Sequence, residues 1–515
     1  MADSPTRALT HSPSHSSSHT SRWLLPVLLT VQFLVSLDVS VVNVALPDIG
    51  RGLGFAPDSL AWVVNAYALT FGGLLMLCGR LADVVGRRRI LLAGFAVFGL
   101  ASLAGGLAQT PGQLIAARAV QGVGAAALAP VALVLITLGN PAGAARSRAL
   151  GLWGAAGAAG GAVGVLAGGL LTDWAGWRSV MLVNVPVVAA ALALARLAVP
   201  ADPDRRAPAP RLDVVGALLV TAGTALLVLG LVRTQTYGWT AWRSAGLLGA
   251  AVALLAAFVV TETRVRQPLL RLGLLSRGPV LAANVFALLM SAGQFAAFYF
   301  TSLYLQQVLG YGPTAAGAAF LPFCAGIVAG TVIATRAVAR VGSGALLLAG
   351  GLIGAVGIAL FAATVTVDGG FLLSVLLPQA VASVGIGMCF VPLGTAATEG
   401  VAPEETGMAS GLLNSSRQVG GAVGLGVLVT VAGAYDGGGG RQGLVEGYAA
   451  AYWVSAALLA AGAAAAGVLH RKRRSPAETQ TGKLSSAVSS EVSSEISSEI
   501  SGEGVDPAAS RSTQG

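Results

Sequence analysis

Gly79-Arg80-Leu81-Ala82-Asp83-Val84-Val85-Gly86-Arg87-Arg88-Arg89 places four arginines, one aspartate and two glycines between apolar runs at 59–79 and 90–109. Each run has about the 20 apolar residues needed to cross the hydrocarbon core of a bilayer. The stretch therefore reads as a short basic turn between two membrane helices. Gly79 allows close helix approach, Gly86 permits a tight turn, and Asp83 is suited to cap a helix N-terminus or to pair with a guanidinium. A basic loop obeying the positive-inside rule accounts for the arginines but not for the spacing of the glycines and the aspartate.

Outward from this link the same alternation continues in both directions. Apolar runs fall at 23–45, 59–79, 90–109, 113–138, 149–171, 178–199, 213–232, 243–262, 279–303, 314–335, 344–366, 371–394, 408–433 and 448–469. The fold class is thus an all-α membrane protein with 14 transmembrane helices, and an even number returns both termini to one side. With that side cytoplasmic, 24 of the 31 basic residues lie on the inner face and Arg51, Arg178, Arg233, Arg243 and Arg441 on the outer face. Arg118 and Arg417 are left inside spans. The expected location is a cell (inner or plasma) membrane. The first apolar run has full length and lacks the short core and cleavage site of a signal peptide, so it is expected to stay as an anchor.

Composition narrows the function. Of 515 residues 55% are hydrophobic and 10% charged, and mean hydropathy is +0.76, against roughly 25% charged in soluble domains. A water-soluble enzyme is excluded on that ground. The net charge of +9 comes from short arginine clusters between apolar runs, a pattern suited to anionic lipid headgroups and not to a nucleic-acid groove. Cys78, Cys324 and Cys389 stand singly in apolar stretches and read as core thiols, with neither disulfide nor zinc spacing. The two lysines, Lys472 and Lys483, are not in GxxxxGK[ST] context, so no nucleotide-driven engine is present. His11, His15, His19 and His470 form no hydrolase or metalloprotease constellation. No metal and no bound cofactor are expected, and uphill work must draw on an ion gradient.

The organisation expected from these runs is a disordered N-tail at 1–22, a six-helix bundle at 23–199, a linker with two inserted helices at 200–278, a second six-helix bundle at 279–470 and a Ser/Glu-rich disordered tail at 471–515. The proline- and arginine-rich links at 200–212 and 262–278 suggest the insertion.

The 79–89 stretch resembles the loop signature GxLaDxxGRR of the major facilitator superfamily. A weaker second copy near Thr335–Gly342 has Ala339 where the aspartate would stand. Three further stretches are similar to the fourteen-span drug:proton antiporter family of the EmrB/QacA type. They are Leu37-Asp38-Val39-Ser40-Val41-Val42-Asn43-Val44-Ala45-Leu46-Pro47, Arg118-Ala119-Val120-Gln121-Gly122-Val123-Gly124, and Trp177-Arg178 with Asn184-Val185-Pro186. Ala409 to Gly421 resembles the same branch. The antiporter signature GxxxGPxxGG reads here Gly160-Gly161-Ala162-Val163-Gly164-Val165-Leu166-Ala167-Gly168-Gly169, with Val165 replacing the proline. Gly160, Gly164, Gly168 and Gly169 present small faces for close helix packing. The resemblance implies a major facilitator fold and proton-driven export of a lipophilic drug or antibiotic-like metabolite.

Asp38 stands 15 residues past Trp23, about 22 Å along a helix, where a carboxylate facing lipid is costly. It must face protein. Paired with Arg118 in one conformation and separated from it in another, it would release and take up a proton. The alternatives are a structural ion pair or a helix-packing hydrogen bond. The switch loop is assigned to Gly79, Asp83, Gly86, Arg87 and Arg88. Candidates for a substrate cavity are Gln32, Asn43, Asn65, Tyr67, Gln121, Asn284, Gln294, Tyr299, Gln379, Arg417 and Gln418, a set that helix–helix hydrogen bonding also explains. The expected partners are a small lipophilic substrate, protons and membrane lipid, with no nucleic acid, in a monomer. Import by symport, or a receptor that does not transport, are the rival functions. With Asp38 the one acid deep in a span, a neutral or anionic substrate fits better than a dication.

Overall fold

The computed structural model describes residues 23–56, 59–140, 143–202, 212–238, 241–265, 268–402, 405–435 and 440–467. The expected terminal tails lie outside them, and so does His470 at the expected end of the second bundle. Among the described residues fourteen helices are long and apolar enough to cross a membrane. They are α1 (Leu24–Leu53), α2 (Trp62–Val85), α3 (Arg87–Gly106), α4 (Pro111–Gly139), α5 (Ala144–Ala175), α6 (Arg178–Ala198) and α7 (Val214–Tyr237), followed by α8 (Trp242–Arg264), α9 (Gly278–Val308), α10 (Pro313–Val341), α11 (Ser343–Thr364), α12 (Leu372–Ala397), α13 (Thr406–Ala434) and α14 (Gly440–Gly467).

Each apolar run of the sequence corresponds to one helix, and most helices extend past their run at one end, while the runs at 59–79, 90–109 and 344–366 overrun their helices by two or three residues. A long extension is at the end of α1. The run ends at residue 45, but the helix continues through Pro47 to Leu53 and stops at Gly54, whose φ of 69° lies in the left-handed region. Neighbouring helices re-satisfy the carbonyl that a proline leaves free, so Pro47 does not end the helix. At the start of α4, Thr110 caps the helix by accepting from the Gln113 amide at 3.3 Å, the Gln113 side chain accepts from the Gln109 amide at 2.7 Å, and Pro111 stands at the first helical position.

The helices pack as α1 with α5, α2 with α4, and α3 with α4 and α6 on one side, and α9 with α13 and α11 and α10 with α12 on the other. Helix α7 lies against α2 and α13, and α8 packs on α7. One apolar cluster fills the interior of α1 to α6 toward the arginine-rich face, around Phe95, Phe98 and Val131. A larger one fills the α9 to α14 side and continues into the opposite ends of α1, α2 and α6 at Leu46, Ile49, Val63 and Val180. The two sides are therefore closed on each other at the face away from the arginine-rich links.

Polar contacts lock the same closure. Ser302 Oγ of α9 donates to the Asn43 carbonyl and Gln306 Nε2 to the Val44 carbonyl, each at 2.8 Å. Asp173 at the end of α5 accepts from the backbone amide of Thr314 on α10 at 3.0 Å and from its hydroxyl.

Candidate functional site

Asp38 and Arg118 meet. Asp38 is fully buried and Arg118 is 1% exposed, and Arg118 Nη1 donates to Asp38 Oδ2 at 2.6 Å. Burying two charges costs several kcal/mol per ion unless further hydrogen bonds satisfy them, and here they do. Asp38 Oδ1 accepts from Gln121 Nε2 at 2.7 Å and from Asn184 Nδ2 at 2.8 Å. Arg118 Nε donates to the Val63 carbonyl at 3.0 Å and Nη1 to Gln121 Oε1 at 2.6 Å. Ser102 Oγ joins Gln121 and Asn184 by accepting from both, at 2.8 and 3.1 Å. The guanidinium lies 4.5 Å above the centre of the Tyr67 ring, a favourable cation–π placement.

Five helices thus contribute to one buried network: Asp38 from α1, Tyr67 from α2, Ser102 from α3, Arg118 and Gln121 from α4, and Asn184 from α6. Helical spacing explains the doublet on α4, since residues three apart share a face. In this arrangement Asp38 accepts from three donors. The Tyr67 hydroxyl, both amide atoms of Asn65 and Asn184 Oδ1 are buried with no hydrogen-bond partner among the described residues, so the polar zone extends past the ion pair.

Asn184 and Ser102 are the members that sequence reasoning missed. In the sequence Asn184 stands out only as part of the Asn184-Val185-Pro186 motif. The signal available for both was a single polar residue within an apolar run, which bilayer energetics makes expensive unless a partner exists.

The glycines of α5 form the second feature that places Asp38. A Cβ on Gly160 would meet the Phe33 carbonyl, on Gly164 the Leu37 carbonyl at 2.8 Å, and on Gly168 the Val41 carbonyl at 2.9 Å. The ladder therefore lays α5 directly on the backbone of α1. Gly169 points to α10, where a Cβ would come within 2.5 Å of the Pro313 carbonyl. With valine at 165 the α5 helix runs unbroken, and the Val165 carbonyl faces Gly317 of α10.

The 79–89 link is built as a helix junction. Gly86 has φ 119°, a conformation open to glycine and strained for other residues, and Gly79 faces Pro130 of α4. Asp83 pairs with Arg87 at 3.0 Å in an exposed position. The cap of α3 comes instead from Asp202, whose carboxylate accepts from the Arg88 and Arg89 amides at 3.0 and 3.3 Å and fills the space that a side chain at Gly86 would need. Arg88 Nη2 donates to the Arg196 carbonyl at the end of α6 at 2.5 Å.

The remaining candidates divide. Asn43 and Asn284 bond the carbonyls of Val39 and Val280 in their own helices, and Asn284 also accepts from Ser416 of α13 at 2.8 Å. Gln32 lies 3.5 Å from Ser36 where α1 crosses Gly157. Gln418 packs against Gly72 of α2, beside a Ser415 to Gly72 hydrogen bond of 2.7 Å. Tyr299 is buried with its ring edge-on to Phe300. Arg417 stacks 4.8 Å over Phe390, with its buried Nε unpartnered. Gln294 and Gln379 come together in a narrow cavity with Phe298, Phe320, Phe323 and Phe361. Gln294 Oε1 and both amide atoms of Gln379 are buried there without partners.

The sequence profile of the Major Facilitator Superfamily matches residues 28–425. The cephamycin export protein of Amycolatopsis lactamdurans is 44% identical over 406 residues, covering 78% of this chain and 83% of that protein. The puromycin resistance protein of Streptomyces alboniger is 43% identical, covering 79% and 81%. The methylenomycin A resistance protein of Streptomyces coelicolor is 35% identical, covering 77% and 83%. Among solved structures, a POT family transporter in complex with a thioalcohol-conjugated peptide superposes with a TM-score of 0.66 at 14% identity, covering 87% of this chain and 96% of that one. A D-xylose–proton symporter does so at 0.63 and 13%, covering 86% and 96%. At such identity these two establish the fold alone.

Proposed function

Because the chain belongs to the Major Facilitator Superfamily, we propose from the site and the relatives that it exports a lipophilic, antibiotic-like compound across the cell membrane in exchange for protons. The observation that carries this reading is the buried Asp38–Arg118 pair on a helix that touches both sides of the molecule. Helix α1 holds Asp38 in the network of α2, α3, α4 and α6, and five and six residues further on its Asn43 and Val44 carbonyls are held by α9. A proton arriving at Asp38 cancels its charge and weakens its hold on Arg118, Gln121 and Asn184. The change is transmitted along α1 to the closure with α9 and, through the glycine ladder, to α5 and its contact with α10. Alternating access then opens the far face.

Export follows from the relatives, two of which are resistance proteins and one an export protein. The arginine-rich links support a cytoplasmic position for that face, and the far face is the one closed in the present conformation. One inward proton supplies about 2.3 kcal/mol per 100 mV and about 1.4 kcal/mol per pH unit, enough together for a substrate gradient of roughly several hundredfold. The aromatic cavity with two unsatisfied glutamine amides favours a neutral ligand that offers carbonyl or hydroxyl groups.

Everted membrane vesicles from a pump-deficient host expressing the chain test the reading. Uptake of a labelled antibiotic that depends on an inside-acid gradient supports export by antiport. Uptake unaffected by the gradient, or driven by the reversed gradient, contradicts it.

A further inference from the structure

Two more buried acids lie where α7 begins and α8 ends, away from the network of Asp38. Asp213 is 5% and Glu262 4% exposed. Each turns one oxygen to a backbone amide: Asp213 Oδ1 accepts from Gly216 at the start of α7 at 2.8 Å, and Glu262 Oε2 accepts from Leu270 in the following link at 3.0 Å. The other oxygens, Asp213 Oδ2 and Glu262 Oε1, are buried with no donor among the described residues. They converge on one place, since a Cβ at Gly216 would lie 2.6 Å from the first and 2.8 Å from the second. Both oxygens border the same small space beside Gly216.

Two ionised carboxylates cannot face one another in a buried site without a compensating charge, and the usual resolution is a single shared proton. We infer that Asp213 and Glu262 hold one proton between their facing oxygens, making the arginine-rich ends of α7 and α8 a second proton-binding site. The alternative occupant is a metal cation, and the donor set opposes it. A hard cation takes six or more oxygen ligands, and no group of three or more metal-ligating side chains is present among the described residues.

The charged groups around the pair say what the proton does. Arg80, partly buried at the end of α2, faces both acids, and Asp83 and Arg271 stand near Arg80. Arg271 is itself engaged by Glu405 at 2.7 Å. With the proton in place the pair carries one negative charge, matched by Arg80. Without it the pair carries two, so the ends of α7 and α8 are pushed apart while Arg80 is drawn in. The site therefore ties α7 and α8 to the 79–89 link in a way that depends on pH. It stands independently of the role proposed for Asp38.

Infrared spectra of the full chain in lipid nanodiscs, recorded in H2O and D2O between about pH 5 and 10, test this inference. The Asp38→Asn variant should keep a deuterium-sensitive protonated-carboxyl band at neutral pH. That band should fade as pH rises. It should be missing at neutral pH from both folded double variants, Asp38→Asn with Glu262→Gln and Asp38→Asn with Asp213→Asn. Absence of the band from Asp38→Asn at neutral pH overturns the proposal without recourse to the double variants. So does its persistence in both doubles. Loss of the band on addition of sodium or calcium at constant pH would assign the site to a cation instead.

Discussion

Arg118 Nη1 lies 2.6 Å from Asp38 Oδ2 across 80 positions of sequence, with both side chains buried inside a membrane helix bundle. An ion pair so placed is costly to assemble and more costly to leave half made. Each partner therefore has consequences that can be measured separately.

Arg118 should be needed as a charge. Lysine keeps the charge but loses the planar fork that serves Asp38, Gln121 and the Val63 carbonyl together. Arg118→Lys should retain part of the transport and Arg118→Gln almost none. Drug binding measured between about pH 5 and 9 should shift to the alkaline side in Arg118→Gln, since Asp38 without its cation holds its proton longer. Normal transport with an unshifted profile in Arg118→Gln would make the arginine a packing residue.

Asn184 should act through Asp38 and not through substrate. Asn184→Ala removes one of three donors to the carboxylate. The expected result is a smaller alkaline shift of the same pH profile with drug affinity at its optimum little changed. A loss of affinity at every pH, with no shift, would place Asn184 in the binding cavity.

The glycine ladder makes a graded prediction for stability. Gly164→Ala sets a methyl group against the Leu37 carbonyl of α1, an overpacking that costs about 1–3 kcal/mol. Gly154→Ala, one of the α5 glycines with open space around it, should leave thermal unfolding of the detergent-solubilised protein unchanged or slightly raised. Equal Tm values for the two variants would show that α5 does not depend on close contact with α1.

At the 79–89 junction the two aspartates should differ. Asp202→Ala uncaps α3 and should lower stability by about 1 kcal/mol, as cap removal does elsewhere. Asp83→Asn breaks only an exposed pair with Arg87 and should leave Tm unchanged. The opposite order would assign the cap to Asp83.

Much of this architecture was legible because a bilayer admits few solutions. A run of about 20 apolar residues must become a helix, so the fourteen spans follow from composition and spacing alone. Asp38 and Arg118 stand out because charge is rare at that depth, whereas Gln121, expected in a substrate cavity, belongs to their network because residues three apart share a helix face. Helix ends were less legible, since Pro47 looks like a stop in sequence and is carried inside α1. Long-range partners were not legible at all. Nothing local tells that Asp202 caps a helix begun 115 residues earlier, that Ser102 and Asn184 share a hydrogen bond, or that Asp213 faces Glu262. Asn43 and Asn284 illustrate the converse, because a lone asparagine in a span looks functional but is equally well served by a carbonyl of its own helix.

The most direct test of the account is antibiotic accumulation in proteoliposomes holding wild-type chain or Asp38→Asn at equal density, under an imposed inside-acid pH gradient and again with no gradient but preloaded unlabelled drug. Asn keeps the shape of the side chain and removes its titration. The account predicts that wild type accumulates drug under the gradient, while Asp38→Asn does not accumulate yet still exchanges labelled for unlabelled drug. Gradient-driven accumulation by Asp38→Asn at the wild-type rate would contradict it.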